Sequence, residues 1–67
     1  MTIREVEALK TDIERYLDST GRNLIENALY CLQTGSDYRA ECSIRTLKSN
    51  LLSEGNYDVA RRIELIL

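Results

Sequence analysis

Apolar positions along the chain recur at spacings of three and four. Ile3, Val6, Leu9, Ile13, Tyr16 and Leu17 fall on one face of a 3.6-residue period, with Glu5, Glu7, Thr11, Asp12, Glu14, Arg15 and Asp18 on the other. Thr2 followed by Glu5 is a Ser/Thr-x-x-Glu capping box, so a first helix is predicted over 3–18, with Ser19-Thr20-Gly21 as the break. A second helix is predicted over 22–33. Its inner stripe is Leu24, Ala28, Cys31 and Leu32, widened by Ile25 and Leu29. Thr34-Gly35-Ser36 ends it. Gly35 suits the left-handed position just past a helix, and Ser36 or Asp37 can cap the next helix. The third and longest helix is predicted over 37–54, where Ala40, Ile44, Leu47 and Leu51 keep the 4-3-4 rhythm of packed helices. Gly55 stops it, and Asn56 caps a short fourth helix with Val59, Ala60, Ile63, Ile66 and Leu67 on one side.

Each predicted gap is a few residues long, which forces antiparallel neighbours. No segment alternates with a period of two, so strands are not expected. The fold class predicted is all-α: a compact antiparallel bundle of four helices in a single domain over 1–67, open to completion by dimerisation.

Gly35-Ser36-Asp37-Tyr38 echoes Gly55-Asn56-Tyr57, two turns of similar chemistry rather than a repeat. The stretch Leu51-Leu52-Ser53-Glu54-Gly55-Asn56-Tyr57-Asp58-Val59-Ala60 resembles the turn of a tetratricopeptide helix pair, where Gly, Tyr and Ala sit at this spacing. The ~34-residue period of that family is absent. Lys48 and Asn50 stand where the family has small residues, so membership is not assigned.

Composition narrows the chemistry. Sixty-seven residues make one domain. A chain of this size buries about 60% of its unfolded surface, for a stability of about 3–5 kcal/mol and little room for a deep cleft. There is no histidine, which removes the usual acid/base at neutral pH and the commonest metal ligand. The two cysteines alone do not supply a four-ligand zinc site, and they form no Cys-x-x-Cys motif. Cys31 falls on an inner stripe and Cys42 points away from the helix 3 seam, so an internal disulfide is not expected. The carboxylates of helix 1 lie on its solvated face and lack the burial that shifts a pKa for catalysis. Cys42 has no histidine to activate it. The three glycines are isolated at helix boundaries and build no phosphate loop. No enzymatic activity, cofactor or metal is expected.

The longest apolar run is Ala28 to Leu32, far short of the ~20 residues of a membrane span. The start carries no apolar signal core, so a cytoplasmic location is expected. The capped Thr2 argues for a native N-terminus, while the apolar end at Leu67 leaves the other terminus open.

Nine basic against 11 acidic residues give a net charge of −2, against the several clustered cations that phosphate contacts need. Read as a helix-turn-helix around Gly35, the chain has Cys31 in place of the usual small alanine. Thr34, Ser36 and Glu41 are polar where that motif is apolar. A nucleic-acid-binding regulator therefore remains the weaker alternative.

Three features exceed the needs of a monomer. Tyr38, Cys42, Arg45, Ser49 and Leu52 form a second stripe on helix 3, opposite the seam. Tyr30 lies on the polar face of helix 2 beside Asn23, Glu26, Asn27 and Gln33. The chain ends on Leu65, Ile66 and Leu67. Tyrosine is a leading interface residue, and the seven arginines against two lysines suit bidentate pairs at interfaces. The reading is a protein-binding module, with homodimerisation favoured and Tyr38, Cys42, Arg45, Leu52, Tyr30, Leu65 and Ile66 as the partner-binding residues. Chains of this kind include small phage- or plasmid-encoded regulators and inhibitors that mask or bridge a partner.

Overall fold

The capping box at the N-terminus forms in full. The Thr2 hydroxyl accepts the Glu5 amide at 3.2 Å, and the Glu5 carboxylate accepts the Thr2 amide at 2.9 Å. The computed structural model describes residues 1–67. Helix α1 runs over Ile3–Ile13, α2 over Ser19–Gln33, α3 over Asp37–Ser53 and α4 over Tyr57–Glu64, with no strand.

The first boundary differs from the sequence reading. α1 stops at Ile13, a 3-10 turn covers Glu14–Tyr16, and Leu17 is extended. Ser19-Thr20-Gly21, expected as a break, is the first turn of α2. The reason lies in Asp18, whose carboxylate accepts the Gly21 amide at 2.8 Å and so caps α2 three residues earlier. Gly21 has no left-handed backbone. Its role is close approach: a Cβ there would stand 3.2 Å from Leu17 and 3.3 Å from Leu47, both buried. Gly21→Ala therefore gains about 1 kcal/mol of helix propensity but overpacks the core by about 1–3 kcal/mol. A net loss is expected in urea denaturation, and a gain would show that the Leu17–Leu47 contact yields freely.

The next two boundaries are the same turn built twice. The Ser36 amide donates to the Cys31 carbonyl at 2.7 Å and the Asn56 amide to the Leu51 carbonyl at 2.8 Å. The Gly35 and Gly55 amides donate to Leu32 and Leu52 at 3.3 and 3.0 Å. This pair of bonds is the Schellman motif, which needs a left-handed residue at its glycine. Gly35 has φ 81° and Gly55 φ 79°. The echo seen in sequence is thus a repeated geometry. Ser36 and Asn56 occupy the N-cap positions, but neither side chain makes a capping bond. Gly35→Ala and Gly55→Ala should each lower stability by about 1–2 kcal/mol, the penalty of a Cβ in left-handed backbone. Unequal losses in denaturation would contradict the equivalence of the two turns.

α3 packs on α2 and α4, and α1 packs on α2 and reaches α4, so the four helices close into a ring 32 × 19 × 17 Å in extent. The predicted seam residues Ala40, Ile44, Leu47 and Leu51 are all buried, as are Val6, Leu9, Ile13, Leu17, Ile25, Ala28, Val59, Ala60 and Ile63. Ile3 and Tyr16, placed on the inner face by periodicity, are instead exposed, and Leu24 and Leu32 are half-buried. Tyr16 left the core because the 3-10 turn re-aims it. Its ring is covered by Arg15 at 5.0 Å and by Arg62 of α4 at 5.9 Å.

Each seam of the ring carries one polar clasp. Lys10 pairs with Glu26 between α1 and α2, Lys48 with Glu64 at 3.3 Å between α3 and α4, and Arg62 with Asp12 at 3.3 Å between α4 and α1. Between α2 and α3 the Asn27 amide donates to the buried Ser43 hydroxyl at 2.6 Å. The Glu26 hydrogen bond holds the Lys10 ammonium above its ordinary 10.5. A raised lysine pKa means that the clasp contributes fully below that value and is lost as pH rises through the folded one. The stability difference between the wild type and Lys10→Met should therefore be constant near neutrality and shrink as pH rises through the folded lysine value.

Candidate protein-binding face

The outer stripe of α3 is exposed along its length. Tyr38 is 78% exposed, Leu52 is 41% exposed, and Cys42, Arg45 and Ser49 are exposed between them. These positions follow from the helical period once Ala40, Ile44, Leu47 and Leu51 point inward. The Cys42 thiol, one turn along, raises the Tyr38 phenol above its usual value. Cys31, by contrast, is buried, and both thiols are free.

Leu52 leans from the stripe towards α4. With Lys48 it lines a groove whose far wall is Tyr57, Ala60, Arg61 and Glu64. The same Lys48 and Leu52 line a shallow depression with Arg45 and Ser49, so stripe and groove are one surface. Tyr57 is 65% exposed. Sequence reasoning missed Tyr57 and Arg61. The signal was the Schellman turn itself, which brings the start of α4 back beside Leu52 at the end of α3.

Charges on this face are mostly matched. Arg45 pairs with Glu41 at 3.3 Å and Lys48 with Glu64, while Arg61 makes no ion pair. The other cations outside ion pairs are Arg4, Arg15, Arg22 and Arg39, spread over α1, the 3-10 turn, α2 and α3.

The remaining predicted residues lie elsewhere. Leu65, 82% exposed, and the half-buried Ile66 line a separate groove between α1 and α4 with Leu9, Ala8, Glu5, Asp12 and Arg62. Ile66 also packs against the core. Tyr30, 65% exposed on α2, lines neither groove, and its neighbour Asn27 is committed to Ser43.

No group of three or more His, Cys, Asp or Glu side chains is placed to hold a metal ion. The cavity beside Leu17, Gly21, Leu47 and Glu54 holds about 130 Å³, while the open α1/α4 and α3/α4 grooves hold about 290 and 300 Å³, at the lower edge of small-molecule sites. No helix is long and apolar enough to cross a membrane. Comparison with family models, with curated proteins and with solved structures finds no match.

Proposed function

We propose that this chain is a non-catalytic protein-binding module whose outer α3 face, continued by the α3/α4 groove, receives a partner protein. One observation carries the reading: Leu52 and Tyr57, 41% and 65% exposed, share a groove that continues onto Arg45 and Ser49, and Tyr38, 78% exposed, lies two turns before Arg45 on the same stripe of α3. Tyrosines on a preformed scaffold contribute large contact area at small entropic cost, the usual make-up of interface anchors. The proposed role is a regulator or inhibitor that masks or bridges its partner in the cytoplasm. The nucleic-acid alternative has less support, because the cations outside ion pairs are dispersed over the four helices and the 3-10 turn.

A photo-crosslinking residue at Tyr57, compared with one at Thr11 on the outer face of α1, tests the proposal in native cells. Adducts of discrete mass from Tyr57 and none from Thr11 support it. Adducts from Thr11 alone, or from neither, contradict it. Binding to a random duplex with a steep salt dependence would favour the nucleic-acid alternative instead.

A further inference from the structure

We infer that the partner on the α3 face is a second copy of this chain, paired antiparallel through α3 about a two-fold axis at Arg45; the inference rests on the binding reading above. The stripe is symmetric about that residue. Tyr38 lies seven residues before Arg45 and Leu52 seven after it, and both are exposed. An antiparallel two-fold pairing centred there sets each Tyr38 against Leu52 of the other copy. The charges obey the same symmetry. Glu41 lies four residues before Arg45 and Lys48 three after, on the flank of α3 that faces α4. A two-fold axis perpendicular to the helices keeps that flank on the same side in both copies, so Glu41 of each meets the partner's Lys48. The two Arg45 guanidinium groups meet at the axis with Glu41 already beside each at 3.3 Å. Opposite charges therefore face one another on either side of the axis, joining the Glu41–Arg45 and Lys48–Glu64 pairs of each copy into one network, and aromatic faces aliphatic beyond them. This self-complementarity is what an isologous interface requires.

The contact is one helix long. α3 has 17 residues, about 25 Å of helix. One face of a single helix of this length is a contact below the ~800 Å² per partner of an ordinary stable interface. The dimer should thus assemble at micromolar rather than nanomolar concentration.

The register is testable by cross-linking. In a Cys42→Ser background, Arg45→Cys puts the new thiols at the axis. Ser49→Cys puts them about 12 Å apart along the helices, beyond the 4.4–6.8 Å Cα separation of a disulfide. Both positions are exposed, so both variants should keep the wild-type helical signal. Under a mild thiol oxidant, a covalent dimer from Arg45→Cys and almost none from Ser49→Cys supports the inference. Equal yields, a larger yield from Ser49→Cys, or none from either overturns it. If cross-linking fails while Tyr57 still captures a different protein, the second copy is wrong and the binding reading stands. If Tyr57 captures nothing as well, both fall.

Discussion

Replacing Leu47 with alanine is expected to remove about 2–4 kcal/mol of stability, the usual range for a large aliphatic side chain cut to a methyl in a packed core. Leu47 is 1% exposed at the middle of the α3 seam, and its Cδ1 lies where Gly21 lets α2 come close. The loss is set against a total of about 3–5 kcal/mol for a domain of this size, so a substantial part of the population should be unfolded at room temperature. Leu52→Ala, five residues along the same helix and only partly covered by α4, should cost less, about 1 kcal/mol. Urea denaturation followed by circular dichroism compares the two. A Leu47→Ala loss under ~1 kcal/mol would mean that the seam does not carry the core.

The double substitution Tyr38→Glu with Leu52→Glu should abolish self-association and leave the fold intact. Both side chains are exposed, so the new carboxylates stay hydrated. Tyr38 lies in the first turn of α3, where negative charge is favourable, and Leu52 in the last, where it is unfavourable by a similar ~0.3–1 kcal/mol. The two effects nearly offset within each monomer. In the antiparallel pair, however, each introduced carboxylate faces another across the contact, at both ends of the stripe. The like charges oppose assembly twice over, and the aromatic–aliphatic contact is lost as well. An unchanged helical signal with a monomeric mass is the expected pair of results. Loss of the helical signal would place the stripe in the core.

Much of this architecture was legible in the residues, because helical periodicity and glycine stops are local signals. Ala40, Ile44, Leu47 and Leu51 were readable as a seam, and Gly35 and Gly55 as stops, since each followed from one short window. The α1–α2 boundary was not. Leu17 continues the apolar period after Ile13, although the helix has already ended in a 3-10 turn and Leu17 is extended, and Asp18, which accepts from the Gly21 amide, starts the next helix. Gly21 reads as a breaker until its contacts with Leu17 and Leu47 show that it is a spacer. Asn27 sits on the polar face of helix 2 beside Tyr30, and its partner Ser43, sixteen residues away, is set by how α3 packs on α2. Exposure of the α3 stripe could be read from its phase against the seam. Its continuation onto Tyr57 and Arg61 could not, since that depends on how α4 returns along α3. For the same reason, the groove that separates Leu65 and Ile66 from the α3 face needed the closed ring to become visible.

The claim that α3's outer face joins two copies stands or falls on the mass of the unmodified chain in solution. Light scattering across a concentration series from low micromolar upward should show a rise from 7.7 kDa towards twice that value. The Tyr38→Glu, Leu52→Glu variant should remain at the monomer mass throughout. A wild-type mass fixed at 7.7 kDa at every concentration would contradict the pairing.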